Sequence, residues 1–233
     1  MCETCGCGDP EVVPVEVKEN ILRENDHIAG HNREHFQNHG VRAINLMGSP
    51  GSGKTALLEA TARAVGDRFK LAAVSGDLAT ERDADRLSAV GIKSRAITTG
   101  TACHLDARLV HRALHDMPEW GASDYFFIEN VGNLVCPAIY DLGQDACVVA
   151  ISVTEGDDKP LKYPVMFRDA DLVVLTKTDL LPYLPDFSVD RFEQALATVM
   201  PEPRCLHLSA TNGEGVAEWV DWLSRSEAVA RHS

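Results

Sequence analysis

The chain has 233 residues, of which 45% are hydrophobic, and this is enough for one large domain or for one domain with appendages. Its formal net charge of −13 argues against a nucleic-acid partner, because such proteins need basic surface to neutralise phosphates. No stretch approaches the ~20 apolar residues of a membrane span, and the start lacks the basic and apolar segments of a signal peptide. We therefore expect a cytoplasmic protein that does not bind membranes. Its seven cysteines are expected to be reduced thiols or metal ligands.

The pattern along the chain predicts three N-terminal segments and one large domain. Residues 1–8, MCETCGCG, contain three cysteines and are interpreted as a metal-binding motif. Residues 9–19 contain two prolines and four acids without a helical period, which indicates a linker. Residues 20–39 have the apolar spacing of a helix. Residues 40–233 are predicted to form the remaining domain.

From residue 41 onward, apolar strands alternate with helices. The predicted strands are AINLMG (43–48), LAAVSGD (71–77), SRAITT (94–99), DYFFIEN (124–130), ACVVAISV (146–153), DLVVLTK (171–177) and CLHLSA (205–210). Helices are expected near 54–65, 80–90, 104–117, 160–169, 189–200 and 214–226. Nearly continuous apolar strands separated by helices predict an α/β fold, with a mostly parallel sheet covered by helices on both faces.

A phosphate-binding loop follows the first predicted strand. Residues 48–55, GSPGSGKT, match G-x-x-x-x-G-K-[ST] in the strand–loop–helix context that the motif requires. We expect backbone amides of the loop to contact phosphate oxygens, Lys54 to reach the β- and γ-phosphates, and Thr55 to hold Mg²⁺. The predicted loop ligands are Gly48, Gly51, Ser52, Gly53, Lys54 and Thr55. The alternative is a glycine-rich turn of another kind.

Two later segments indicate that the base is guanine, so that the ligands are GTP and GDP. Thr176-Lys177-Thr178-Asp179 resembles the guanine-reading N-K-x-D, with Thr in place of Asn. The Asp179 carboxylate can accept hydrogen bonds from N1–H and the 2-amino group of guanine, and adenine lacks this pair of donors. Ser209-Ala210 resembles the S-A element whose backbone amide contacts the guanine O6. The alternative for T-K-T-D is an ordinary strand end.

Two acidic residues are predicted to complete the phosphate site. Asp77 ends the second strand and Glu129 ends the fourth, in the Walker-B position, so that both are candidate Mg²⁺ ligands beside Thr55. Thr80 and Asp83 follow Asp77 in a candidate switch segment. The predicted catalytic residues are Lys54, Asp77 and Glu129. Strand-end or helix-cap chemistry is the alternative for the two acids.

A second cysteine set lies near this site in sequence. Cys103-His104 is expected to begin a helix, and Cys136 lies seven residues beyond Glu129. Cysteine and histidine are the usual ligands of Zn²⁺ and other borderline metals, and three of them leave a tetrahedral site open to water or to a second subunit. A buried core thiol is the alternative for Cys136, and core packing is the interpretation for Cys147 and Cys205.

Histidines recur every four residues on the first helix, at His27, His31, His35 and His39. Such i, i+4 pairs can chelate a metal, but we expect a solvated polar face. A weaker stripe, also expected to be solvated, consists of His104, His111 and His115.

Several motifs together resemble the HypB family, GTPases that help to insert nickel into [NiFe]-hydrogenase. They are M-C-x-T-C-G-C-G, G-S-P-G-S-G-K-T, G-D-L-A-T-x-x-D-A, C-H-L-D, E-N-V-G-N-L-V-C-P and E-G-D-D-K-P-L-K-Y-P. The resemblance implies a P-loop GTPase fold of the SIMIBI type and a homodimer favoured by GTP. It also implies partnership with the hydrogenase large subunit and other nickel-insertion accessory proteins. No long His-rich storage tract is present, so bulk nickel storage is not expected.

The resemblance also implies two metal sites. Residues Cys103, His104 and Cys136 match the family's interface site for Ni²⁺ or Zn²⁺, and Lys159 lies in a segment near the family's dimer interface. The set Cys2, Cys5 and Cys7 matches a tight nickel site found in some members. Three thiolates with an N-terminal amine suit square-planar Ni²⁺ better than a closed zinc site. The alternative is a disordered tail or an opportunistic zinc binder.

The leading hypothesis is therefore a GTP-gated nickel carrier. No obvious arginine finger is present in the sequence, so we expect slow hydrolysis, of roughly 10⁻⁴ s⁻¹ as in unassisted Ras-type GTPases. One alternative is a P-loop kinase of small molecules. The other is a nickel or zinc buffer in which the nucleotide is only structural.

Overall fold

Seven strands form one sheet in a computed structural model of the chain, which describes residues 15–77, 82–100 and 102–225. The strands are β1 (Arg42–Met47), β2 (Leu71–Asp77), β3 (Lys93–Thr98), β4 (Tyr125–Glu129), β5 (Ala146–Ser152), β6 (Leu172–Thr176) and β7 (Cys205–Leu208). All neighbouring pairs are parallel, in the order β3-β2-β4-β1-β5-β6-β7. The predicted α/β fold with a parallel sheet is confirmed.

Eight α-helices lie among the described residues. They are α1 (Val15–His39), α2 (Lys54–Val65), α3 (Arg82–Ala89), α4 (Ala107–Asp116), α5 (Lys159–Lys162), α6 (Pro164–Arg168), α7 (Val189–Val199) and α8 (Val216–Ser224). None of the helices in this part of the chain has both the length and the apolar character needed to cross a membrane.

Helices cover both faces of the sheet because side chains of a strand alternate between its two faces. On one face, Leu46 and Phe127 pack with Leu57 of α2 and Trp219 of α8. On the other face, one cluster joins α1 and α4 to the β2–β4 half of the sheet, and a second joins α6 and α7 to the β5–β6 half. Strands buried on both faces explain the continuous apolar runs of the sequence.

The topology places a crevice at the carboxyl end of β1. The chain leaves β1 toward β2 and β3 on one side, and β5 to β7 occupy the other side. Ligands of open α/β sheets bind at such a reversal of strand order, outside the carboxyl ends of the strands. The loop predicted to bind phosphate follows β1 at this point.

Helix boundaries differ from the sequence predictions at three places. Helix α1 begins at Val15, so the predicted linker 9–19 is wrong for its last five residues. Pro14 is the last proline before Pro50, so no residue of α1 lacks a backbone donor. The helix predicted near 160–169 is two short helices, because Tyr163 has φ −128° and ψ 53° ahead of Pro164.

The third difference concerns the helix predicted over 104–117. It begins only at Ala107, because the Asp106 side chain accepts a hydrogen bond from the backbone N–H of Leu109 and caps the first turn. Cys103 and His104 therefore lie in the preceding loop and do not begin the helix. The predicted segment 1–8, residues 9–14 of the predicted linker and Thr80 lie outside the described residues.

Candidate functional site

The loop 48–53 closes tightly between β1 and α2 and depends on glycine. Gly48 has φ 150°, and a Cβ added there would lie 2.2 Å from the carbonyl oxygen of Ala150. Gly53 has φ 93° at the start of α2, with Thr176 Oγ1 3.3 Å from the position of a Cβ. Only glycine meets both demands, and the backbone is thereby left open toward a ligand at the helix N-terminus.

Lys54 is buried at the start of α2. Its Nζ donates to the carbonyl oxygens of Gly48 (3.3 Å) and Ser49 (3.1 Å). Burial lowers its pKa, and the negative charges of Glu129, Asp83 and Glu155 oppose that shift. The Lys54 ammonium therefore lies against the carbonyls of the loop in which the motif predicts phosphate binding, and that role stays a prediction.

Glu129 lies at the end of β4 and is 2% exposed. Its carboxylate accepts from Thr55 Oγ1 at 2.6 Å and from Ser75 Oγ at 3.1 Å. Burial raises the pKa of Glu129, against the opposing effects of the Thr55 hydrogen bond and the Lys54 charge. A hydroxyl and a carboxylate in contact form an all-oxygen donor set, which fits Mg²⁺.

A cavity of about 450 Å³ opens over these groups. It is lined by the loop residues, by Glu129 and by Asp77, Asp83 and Arg86. Arg86 is a cavity residue that the sequence analysis did not single out. It donates to both carboxylate oxygens of Glu59, at 2.9 and 3.0 Å, and its pKa is raised chiefly by that hydrogen bond.

The predicted base-reading residues lie at the carboxyl ends of β6 and β7. Ser209 Oγ donates to Asp179 Oδ1 at 2.6 Å, and Ala210 follows directly. Lys177 has φ 60°, and its Nζ donates to the carbonyl oxygen of Gly51 at 2.7 Å. Thr176 Oγ1 donates to the carbonyl oxygen of Ser52 at 2.6 Å. The T-K-T-D segment is therefore hydrogen-bonded both to the phosphate loop and to the Ser-Ala segment. The binding of guanine remains a prediction.

Cys103, His104 and Cys136 come together as a potential metal-binding set, although His104 and Cys136 are 32 positions apart in the sequence. The two Sγ atoms are 3.2 Å apart, Cys103 Sγ is 3.7 Å from His104 Nδ1, and all three ligand atoms lie within 4.8 Å of one another. Two thiolates on a tetrahedral Zn²⁺ are about 3.8 Å apart, from Zn–S bonds of about 2.3 Å, so a small rearrangement would admit a metal.

The imidazole of His104 is oriented for this site. It is 5% exposed and stacks on the ring of Tyr140, with a centroid distance of 4.0 Å and an angle of 21°. Burial lowers the pKa of His104, against the opposing charge of Asp106, which favours the neutral ligand form. The sequence pattern did not identify Tyr140, because its contact forms only in the folded chain.

Asn133 links the phosphate loop to the cysteine pair. Its backbone N–H donates to the carbonyl oxygen of Gly48 at 3.0 Å, and its Nδ2 donates to the carbonyl oxygen of Cys103 at 3.2 Å. Its Oδ1 accepts from the N–H of Val135 at 2.9 Å, next to Cys136. One residue therefore contacts the phosphate loop and both segments that carry the thiols.

Asn130 makes a second link, between the end of β4 and the loop that contains Cys103 and His104. It follows Glu129 directly, and its Oδ1 accepts from the N–H groups of Leu105 (3.1 Å) and Val131 (3.0 Å). Leu105 is the residue after His104. Sequence spacing does not identify either asparagine as a link, although both lie in the segment E-N-V-G-N-L-V-C-P.

The other cysteines separate into two groups. Cys147 is buried in β5 and accepts from Gln144 Nε2 at 3.3 Å, and Cys205 lies in β7, where burial raises the pKa of its thiol to about 12. The core-packing interpretation of both is confirmed. The predicted nickel ligands Cys2, Cys5 and Cys7 lie outside the described residues.

Comparison with known proteins assigns the chain to a family. Residues 42–206 match the model of the CobW/HypB/UreG nucleotide-binding domain. The chain is 46% identical over 215 residues to the hydrogenase maturation factor HypB of Azotobacter chroococcum, an alignment that covers 92% of this chain and 70% of the relative. It is 41% identical over 212 residues to the hydrogenase/urease maturation factor HypB of Helicobacter pylori, covering 90% of this chain and 86% of that one.

A solved structure agrees with this assignment. The crystal structure of HypB from Helicobacter pylori in complex with nickel superposes with a TM-score of 0.84 and 39% identity, covering 90% of this chain and 99% of that one. The resemblance inferred from the motifs is confirmed, and the chain belongs to the HypB family of hydrogenase maturation factors, within the CobW/HypB/UreG nucleotide-binding domains.

Proposed function

We propose that the chain is a GTP-hydrolysing nickel metallochaperone that delivers nickel to a [NiFe]-hydrogenase precursor. In this proposal the nucleotide controls the metal affinity of Cys103, His104 and Cys136. The observation that carries it is the double attachment of Asn133, which holds Gly48 of the phosphate loop with its backbone and Cys103 with its side chain. Nickel is the cargo of this activity and GTP is its substrate.

The nucleotide half of the proposal rests on the donors in the crevice. We propose that Lys54 and the amides of its loop bind phosphate, supported by its contact with the Ser49 carbonyl, and that Asp179, which accepts from Ser209, recognises guanine. Thr55, Glu129 and Asp77 are the proposed residues that would hold Mg²⁺, which would supply positive charge to neutralise the phosphates. Arg86 is held by Glu59 and Asp83, so we keep the expectation of slow hydrolysis without a partner.

The metal half of the proposal rests on the chemistry of the ligands. Two thiols and an imidazole suit Ni²⁺ or Zn²⁺ better than Mg²⁺ or Ca²⁺. The nickel complex of the Helicobacter pylori relative supports nickel as the cargo. We further propose that Cys2, Cys5 and Cys7 form a separate, tighter nickel site, and that the hydrogenase large subunit and accessory proteins of nickel insertion are the partners.

A GTP-favoured homodimer is part of the proposal. Three ligands leave a coordination position open, and a second copy of the site can fill it. Val135 and Ile139 flank Cys136 with 53% of their surface exposed each, and apolar surface of this kind favours an interface at the metal loop. Lys159, whose Nζ lies 5.4 Å from the centroid of the Tyr163 ring, is in the segment that we assign to the same interface.

The decisive experiment is a Ni²⁺ and Zn²⁺ titration of the apo, GDP-bound and GTP-analogue-bound protein, with the oligomeric state followed throughout. The expected result is that the metal affinity of the Cys103, His104 and Cys136 site depends on the bound nucleotide. Binding at this site should be lost in Cys136→Ser. Cys205→Ala is the matched control, because its thiol lies in a strand and should leave metal binding unchanged. Equal metal affinity in the apo, GDP-bound and GTP-analogue-bound forms would refute the claim that the nucleotide controls metal binding.

The same preparation separates the two alternative functions. A small-molecule kinase would bind ATP as well as GTP, whereas the Asp179 carboxylate predicts a preference for guanine on the order of 10⁴. A metal buffer with a structural nucleotide would still transfer nickel when Lys54 is replaced by Ala. We expect Lys54→Ala to retain nickel and to fail in transfer.

A further inference from the structure

The regular histidine stripe of α1 does not present one uniform face in the structure. His27 and His31 pair with each other through their Nε2 atoms, 3.3 Å apart. His39 turns its Nδ1 to the carbonyl oxygen of His35 at 2.9 Å, and its ring packs on Trp120 with a centroid distance of 4.7 Å. These three histidines therefore differ in their surroundings from His35.

The ring of His35 faces α4. Its centroid lies 5.5 Å from the ring centroids of both His111 and His115. His111 Nε2 and His115 Nε2 are 3.1 Å apart, and one ligand nitrogen from each of the three residues lies within 4.8 Å of the others. The expectation of a solvated face is wrong for His35 and His111, because the packing of α1 on α4 half-buries them, whereas His115 is exposed as expected.

The buried Asn32 determines which nitrogen of His111 is available. Its Nδ2 donates to the carbonyl oxygens of Ala107 (2.9 Å) and Leu142 (3.1 Å), so both of its amide hydrogens are used. Its Oδ1 lies 2.9 Å from His111 Nδ1 and must accept, so that Nδ1 carries the hydrogen. The lone pair of neutral His111 is therefore on Nε2, the atom that points at His115. Metal-binding histidines are commonly oriented by such a bond from the second ring nitrogen to an oxygen.

We propose that His35, His111 and His115 form a binding site between α1 and α4 for a borderline divalent cation such as Zn²⁺ or Ni²⁺. Bonds of about 2.0–2.1 Å to a tetrahedral metal put the nitrogens about 3.3 Å apart, which is close to the present His111–His115 distance. Three imidazoles with water in the remaining position form an open site. It contains no thiolate and shares no ligand with the Cys103 set, so it stands independently of the proposed nickel delivery.

The test uses the full chain with Cys2, Cys5, Cys7, Cys103 and Cys136 replaced by Ser, titrated with Zn²⁺ against a chromophoric chelator. The expected stoichiometry is one Zn²⁺ per chain. His115→Gln and His35→Gln should each weaken binding by at least about tenfold, the lower end of what loss of even an outer partner costs. His27→Gln is the matched control from the same helix and should leave the affinity unchanged. Failure to bind Zn²⁺, or equal loss in all three variants, overturns the proposal.

A second measurement on the unmodified chain covers the case in which the serine variant does not fold. Co²⁺ is added until the thiolate-to-cobalt charge-transfer absorption stops rising. One further equivalent should then bind without increasing that absorption, and the imidazole nitrogens of the three histidines should shift in ¹⁵N spectra recorded with Zn²⁺. The proposal is overturned if no further equivalent of Co²⁺ binds, or if that equivalent still binds to His115→Gln.

Discussion

Replacement of Asn133 by Ala tests whether the nucleotide and metal sites are coupled through this residue. The change removes the side-chain bonds to Cys103 and Val135 but leaves the backbone bond to Gly48 in place. Nucleotide affinity should therefore change little. The effect should appear in how strongly the nucleotide alters metal affinity.

The magnitude follows from the contacts. A typical net hydrogen bond contributes about 0.5–1.5 kcal/mol, so loss of two lowers the free energy of unfolding by about 1–3 kcal/mol. For a domain of this size each kcal/mol lowers Tm by about 2–4 °C. If the bond to Cys103 transmits the coupling, its loss brings the ratio of metal dissociation constants in the GDP and GTP-analogue forms about 2- to 13-fold closer to one.

The assay is competition titration of Zn²⁺ in both nucleotide states, in a background with Cys2, Cys5 and Cys7 replaced by Ser. Asn20→Ala is the control, because it removes an exposed amide on α1 whose oxygen accepts a hydrogen bond from Arg23 at 2.6 Å. Asn133→Asp keeps the acceptor for Val135 and removes the donor to Cys103, so it should reproduce most of the effect. An unchanged ratio in Asn133→Ala would refute coupling through this side chain.

Three further predictions concern the nucleotide site and the thiols. Burial raises the pKa of Glu129, so its contribution to stability is present below its ordinary value of 4.5 and is lost as pH rises through the folded-state pKa. Glu129→Gln should therefore raise the Tm of the apo protein at pH 7 but not near pH 4, and should abolish GTP hydrolysis. Asp179→Asn should weaken GDP binding by roughly 10²–10⁴, because the acceptor for two guanine donors becomes an amide. At pH 8, iodoacetamide should label the partly exposed Cys103 and spare Cys205, whose pKa of about 12 leaves a thiolate fraction of about 10⁻⁴.

Each of these predictions has its own control. A lower Tm of Glu129→Gln at pH 7 would contradict the stated cost of burying that carboxylate. Asp186→Asn is the control for Asp179→Asn. It changes an exposed residue outside the lining of the cavity, and it should leave the affinity for GDP unchanged. Prior addition of Zn²⁺ should protect Cys103 from iodoacetamide, and rapid labelling of Cys205 in the folded protein would contradict the raised pKa of its thiol.

The sheet and the phosphate loop could be predicted from sequence because their signals are local. Strands buried on both faces need continuous apolar residues, and the tight turn at Gly48 needs glycine. Helix α4 begins three residues later than the sequence pattern predicts, because the Asp106 side chain caps its first turn. Residues whose role depends on distant partners could not be found this way. Asn32 and Asn133 are examples, because an asparagine in sequence gives no indication of which carbonyl it will meet.

The asparagines also suggest how a change at the phosphate loop would reach the proposed metal ligands. At the other end of the 103–107 segment, the Asn25 side chain accepts from Ala107 N–H (2.9 Å) and donates to the carbonyl oxygen of Asp141 (2.8 Å). Helix α1 therefore holds the first turn of α4, while Asn133 connects the loop before that turn to Gly48. With one end of the 103–107 segment attached to α1 and the other to the phosphate loop, we expect movement of that loop to change the geometry at Cys103 without requiring α4 to move. Coupling of this kind needs only a local, two-position rearrangement.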